Sequence, residues 1–150
     1  MAEFYGTVLE ADEYFDLERI YNDIWGNETA AIKQKALIQA SRAVDNLRYI
    51  ADKADSTQEL SFPIGNQTEV PVTIEQATYL IAEQLLDGWD STFEAENLHM
   101  KERRFAQAKS TYLENSIPLW IQAGIPSAEA WRLLYPYLAP EGSIQLNRVN

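Results

Sequence analysis

Residues Thr7–Leu17 read TVLEADEYFDL. Thr7 and Glu10 have the spacing of a capping box, in which a threonine side chain and a glutamate three residues later satisfy free amides at the start of a helix. A helix is therefore predicted to open at Thr7, carrying Leu9, Tyr14, Phe15 and Leu17 among Glu10, Asp12, Glu13 and Asp16. It is expected to bury Leu9 and one or both of Tyr14 and Phe15, and to run, with a break near Asp16, as far as Trp25. Gly26 suits the position just past its end.

The same reading extends along the chain. Asn27 is placed to cap a helix over Glu28–Leu47. There Ala30, Leu37 and Val44 recur every seven residues, and Ala36, Ala40, Ala43 and Leu47 fill the same side. Lys33, Lys35, Arg42 and Asp45 take mostly the opposite side, so one stripe is buried, with alanines small enough for a close helix neighbour. Arg48–Pro71 is irregular. Pro63 limits Ser61–Ile64 to a short edge strand at most, and Gly65–Asn66 signals a turn, leaving room for a short β-hairpin near 60–70. A loop this long in a small domain is usually functional or docked on a neighbour.

Thr73 and Gln76 repeat the capping spacing and open a helix over Ile74–Asp87, burying Ile74, Ala77, Ile81 and Leu85 and closed by Gly88. Ser91 and Glu94 open the longest helix, Thr92–Glu114, roughly 35 Å at 1.5 Å per residue. Pro118 starts a short helix to Ala123 that Gly124 closes. Ser127 caps a last helix that Pro136 limits. The fold class is all-α: a small helical bundle over residues 1–140 with one long irregular loop, and an extended tail over 141–150.

Composition supports one domain. The chain has 150 residues, 46% hydrophobic and 11% aromatic, enough for a core. There are no cysteines, so disulfides and thiolate metal sites are excluded and a reducing compartment fits. No apolar run approaches the ~18 residues of a membrane span, so no membrane partner is expected, and the acidic first residues give no sign of a secretory signal. The formal net charge is −11, and Met1–Ala30 alone holds eight carboxylates against one cation, Arg19. Such a surface repels phosphate.

Catalytic chemistry finds few candidates. A Ser-His-Asp triad would have to use His99, since that is the one histidine. No nucleophile elbow, P-loop or dinucleotide-binding glycine run is present. Glu96 and His99 have the Glu-x-x-His spacing of di-iron bundles, but a second copy cannot exist. Neither a metal nor another cofactor is expected. Carboxylates alone leave an acid/base enzyme as a remote reading.

Two clusters remain. Lys101, Arg103, Arg104 and Lys109 form either a solvated face balanced by nearby glutamates or a contact for nucleic acid or an acidic partner. No aromatic ladder interleaves with them, so no stacking platform for single strands is indicated. Trp120 and Trp131, with Tyr135, Tyr137 and Leu138, form either a satellite core or an interface anchor.

The segments in order resemble a family of small tailed-phage neck proteins, the head-tail connector or head-completion adaptors. The opening matches its EADxYF helix. Ala36–Asp45, ALIQASRAVD, is similar to its ALIxATxxxD helix. Leu60–Ile64, LSFPI, departs from its LAWPR element at the tryptophan and arginine. Val70–Pro71 leads into an Ala/Leu-rich helix as in the family, and Leu133–Leu138, LLYPYL, resembles its LLAPYL close. The resemblance implies a non-enzymatic adaptor, usually a ring of twelve copies, between the portal protein and a stopper or tail-terminator protein. It would extend the channel for packaged double-stranded DNA, which passes through without specific contact. The location implied is the virion neck, reached from the host cytoplasm during assembly. Family C-terminal segments reach towards the portal, so Ile144, Leu146 and Arg148 join the interface candidates Trp120, Trp131, Tyr135, Tyr137 and Leu138. Some relatives carry a DnaT-like single-stranded-DNA-binding label. The alternative that label raises is a nucleic-acid-binding accessory protein using Lys101–Lys109.

Overall fold

A computed structural model describes residues 3–90 and 118–140. Among these residues the fold is all-α, with no β-strand. In chain order the helices are α1 (Val8–Glu18), α2 (Asp23–Gly26), α3 (Ala30–Asp45), α4 (Val72–Leu86), α5 (Leu119–Gln122) and α6 (Ala128–Leu134), the last continuing into a 3₁₀ turn, Tyr135–Tyr137. The predicted helix over Thr92–Glu114 and the tail after Pro140 lie outside the described residues.

The opening helix starts as its sequence demands. The Thr7 side chain accepts from the Glu10 amide at 3.1 Å, and its hydroxyl donates to the Glu10 carboxylate at 2.9 Å. Of the residues expected to be buried, Phe15 is buried and Tyr14 half-buried, but Leu9 is 68% exposed and Ala11 is buried instead. At 3.6 residues per turn, Leu9 sits roughly 160° around the helix from Ala11. The break falls later than Asp16: α1 ends at Glu18, Arg19 is extended, and a separate short α2 follows. Phe15 stacks on Trp25 with ring centroids 4.9 Å apart. Asp12 holds the pair in place, accepting from Trp25 Nε1 at 2.7 Å and from Lys33 Nζ at 2.8 Å. Lys33 therefore does not face solvent, as the stripe on α3 suggested; it ties α3 to α1 and lies over the Trp25 ring.

Two caps moved. Gly26 is the last residue of α2 rather than a left-handed stop, and Asn27 ends α2 instead of starting α3. Thr29 caps α3, accepting from the Ile32 amide at 3.4 Å. At α4 the capping position is Pro71, and Thr73 lies inside the helix. Its hydroxyl is used elsewhere, paired with the Tyr137 hydroxyl at 3.0 Å. Gly88 and Gly124 do adopt the left-handed conformation that closes a helix, and Ser127 caps α6.

α3 and α4 form the most extensive helix pair, closely followed by α4 and α6. Ala36, Leu37, Ala40 and Val44 of α3 are buried with Ile74, Ala77, Leu80 and Ile81 of α4 and with Ala130 and Leu134 of α6. Small residues on α3 let the N-terminal segment approach as well: the Tyr5 amide donates to the buried Ser41 Oγ at 2.9 Å.

The long loop packs on its own domain, and no hairpin forms at 60–70. Ile64 pairs instead with Lys53 in an isolated antiparallel bridge. Phe62, 2% exposed, is driven into the core. Tyr5, Tyr49 and Tyr137 surround it edge-on, with centroids 6.1, 4.6 and 5.5 Å away. The Tyr5 hydroxyl donates to Asp45 Oδ1 and accepts from the Phe62 amide, and Asp45 also accepts from the Ser61 amide at 3.0 Å. Burial, reinforced by Asp45, pushes the Tyr5 phenol far above its ordinary value, so it stays a donor. Gln58 Nε2 binds the carbonyls of Leu60, Ser61 and Pro63 at 2.9, 3.1 and 2.9 Å, holding the loop in shape. Gly65 adopts a positive φ in the turn that the sequence signalled.

Gly6 has a different task. A Cβ there would lie 2.0 Å from the Tyr79 hydroxyl, and its φ is +71°. Among the described residues that hydroxyl is buried with no well-formed hydrogen bond, although the Thr7 amide lies close to it.

Two outcomes are expected in urea titrations. Phe62→Ala should lose about 3–5 kcal/mol, a large part of a typical domain's stability. Tyr79→Phe removes a buried hydroxyl with no well-formed hydrogen bond and should be neutral or stabilising; a loss above about 1 kcal/mol would show that the oxygen has a partner.

Candidate functional site

The irregular segment after α3 and the segment after α6 run side by side. The Ile50 amide donates to the Tyr137 carbonyl at 2.9 Å, the Ala139 amide to the Arg48 carbonyl at 3.0 Å, and Tyr49 bridges Leu138 between them. The Tyr49 hydroxyl donates to the Val44 carbonyl at 2.6 Å, fixing this pair on the end of α3. The backbone here is pinned on both sides.

That pinning makes one wall of an open groove of about 810 Å³. Leu47, Arg48 and Ile50 line it together with Leu119 and Gln122 of α5, Ala123 just past that helix, and Trp131, Tyr135 and Leu138. The lining is mostly apolar, and among the described residues that form it Arg48 is the charged one. Ile50, Leu119 and Tyr135 are 60%, 53% and 67% exposed, an arrangement suited to a partner's side chains.

Of the interface candidates, Trp131, Tyr135 and Leu138 meet in this groove. Trp120 does not line it and is half-buried against the core. Tyr137 is half-buried and packs inward onto Phe62, its hydroxyl paired with that of Thr73. Ile144, Leu146 and Arg148 lie outside the described residues, as do Lys101, Arg103, Arg104 and Lys109. Sequence reasoning missed Arg48 and Ile50. No local signal marks them, because their place depends on pairing with residues about ninety positions later.

A smaller pocket of about 490 Å³ lies between the N-terminal segment and the loop, lined by Phe4, Thr7, Gln58, Leu60 and Val70 among others. Glu10, Glu59 and Glu75 reach its walls. Among the described residues no group of three or more acids or histidines is placed to hold a metal ion. His99 lies outside them.

Among the described residues two carboxyls are shifted upward. Burial raises the pKa of Glu75, with Glu10 adding to it. Burial also raises that of Glu83; Arg19 opposes this, and Asp87 and Glu129 add to it. Arg19 itself is bound to Glu129, its Nη1 donating to the two oxygens at 3.1 and 2.9 Å.

The body that carries the groove is acidic. Residues 3–90 and 118–140 hold eighteen carboxylates against seven lysines and arginines, so the whole formal charge of −11 resides there.

A family model described as "Putative DnaT-like ssDNA binding protein" matches residues 1–149. The chain belongs to this family. No curated protein and no solved structure shows significant similarity to it.

The perturbed carboxyls give a pH prediction. A raised carboxyl pKa penalises the folded state when the group is charged. The penalty is full above the raised value, shrinks as pH falls through it and disappears below the ordinary 4.5. Glu83→Gln should therefore raise the urea midpoint at neutral pH and have progressively less effect as pH falls below 4.5. A variant less stable at neutral pH would mean that the pairing with Arg19 outweighs burial.

Proposed function

We propose that the protein is a non-enzymatic structural adaptor of a tailed-phage neck. It assembles as a ring between the portal protein and the next neck protein, a stopper or tail terminator, and extends the DNA channel. The observation that carries this reading is the apolar groove bounded by Ile50, Leu119, Trp131, Tyr135 and Leu138, beside a separate buried core of the described residues. The order of the motifs from EADEYF to LLYPYL supports it. So does charge: an acidic body repels packaged DNA, which suits a channel wall.

A second reading is favoured by the family description, which names single-stranded DNA. On this reading the protein is a nucleic-acid-binding accessory factor. Its contacts would fall to Lys101, Arg103, Arg104 and Lys109, because the described body carries net charge of the wrong sign.

Imaging of the protein mixed with its portal tests the first reading. A ring seated on the portal is expected, lost when Ile50→Asp and Tyr135→Ala are combined; both positions are exposed, so each change should cost under about 0.5 kcal/mol of stability. No ring with the unaltered protein rejects the adaptor. Titration with labelled single strands separates the second reading. Four phosphate contacts would give a log–log salt slope of roughly −3, abolished by Arg103→Glu with Arg104→Glu. The adaptor reading expects no saturable binding.

A further inference from the structure

The face of α1 and α2 turned away from the core is unusually apolar. Leu9 is 68% exposed, Leu17 83%, Ile20 91% and Tyr21 84%. Leu9 and Leu17 share one side of α1, with Glu13 between them, and Ile20 and Tyr21 follow in the extended link to α2. Single exposed apolar residues are ordinary; four large ones within thirteen residues, Leu17, Ile20 and Tyr21 close together, mark a contact surface.

The charge around this run is of one sign. Glu13, Asp16, Glu18 and Asp23 are all exposed beside it. The cation within the run, Arg19, is held by Glu129. The last turn of α1 contains no basic residue, so Glu18 stands at the negative end of the helix dipole with no lysine or arginine of the helix beside it. A surface of this kind is complemented by a segment that joins several cations to an apolar residue.

The sequence contains one such segment. Lys101–Lys109, KERRFAQAK, holds four cations and one acid with Phe105 among them. It lies outside the described residues, but its composition is the complement of the α1–α2 face. We propose that this face receives the Lys101–Lys109 segment of a second copy of the chain. The contact is heterologous: each copy offers an acidic–apolar face to one neighbour and a basic segment to the other. Such contacts repeat around a closed ring. The proposal rests on the ring reading above and says which surfaces meet in it.

Paired charge reversals followed by sedimentation velocity test it. The unaltered chain should self-associate in a concentration- and salt-dependent way. Glu13→Lys with Asp16→Lys reverses the face; Arg103→Glu with Arg104→Glu reverses the segment. Each variant alone should associate about tenfold or more weakly, the equivalent of about 1.4 kcal/mol. The two mixed should recover a one-to-one pair, the reversed face of one accepting the reversed segment of the other. Circular dichroism at matched concentration checks that both fold. The proposal is overturned if the unaltered chain stays monomeric at every soluble concentration. It is also overturned if either variant associates like the unaltered chain, or if the mixture fails to pair. Imaging of the variants on the portal separates the two claims. Normal rings from the face-reversed variant would sink this contact and leave the adaptor standing, whereas no ring from the unaltered chain would sink the adaptor itself.

Discussion

The burial of Phe62 constrains everything else in the described structure. It sits in the middle of an irregular segment, yet its ring is enclosed by tyrosines from three distant parts of the chain: Tyr5 before α1, Tyr49 after α3 and Tyr137 after α6. Each edge-on pair adds about 0.5–1.5 kcal/mol beyond area burial. The polar atoms that must be buried with it are matched as well. The Tyr5 hydroxyl and Asp45 between them take the Phe62 and Ser61 amides, which a helix or sheet would otherwise have satisfied. Three helix-flanking segments are thereby fixed relative to one another by one side chain from a loop.

The groove is a consequence of that fixation. Tyr49 and Tyr137 touch Phe62 on their inner sides, and their neighbours Arg48, Ile50, Leu138 and Ala139 form the outer wall. Residues that hold the core and residues open to a partner alternate along the same two strips of backbone. The groove can therefore be apolar and exposed without loosening the interior. The acidic body around it limits what can approach: apolar or cationic surfaces are favoured, free phosphate is not. The electrostatics of these residues disfavour phosphate, and the single-stranded-DNA reading depends on Lys101–Lys109 instead.

Local chemistry in the sequence was readable where it acts locally. Thr7, Ser127, Gly88 and Gly124 end helices as their residue types require, and the alanine-rich stripe of α3 is the buried one. Failures occurred where a distant partner decides. Thr73 looks like a cap but bonds Tyr137, sixty-four residues on. Lys33 looks solvent-facing but is taken by Asp12 of α1. Leu9 looks like core, but Ala11 and Phe15 define the buried side of so short a helix. In the groove, Trp131, Tyr135 and Leu138 were legible as an aromatic cluster, because they are close in sequence. Ile50 and Arg48 were not, because the bridge that places them joins Tyr49 to Leu138. Phe62 itself carried no periodic signal at all.

Native-state hydrogen exchange tests this dependence most directly. The amides of Phe62, Gly65 and Ala54 report the loop, and those of Ile50 and Ala139 report the groove wall. If the Phe62 clamp unites them with the core, all should exchange at the free energy of the slowest α3 and α4 amides, and Phe62→Leu should lower them together. Loop and wall amides that open at a much lower free energy, while α3 and α4 stay protected, would contradict the account.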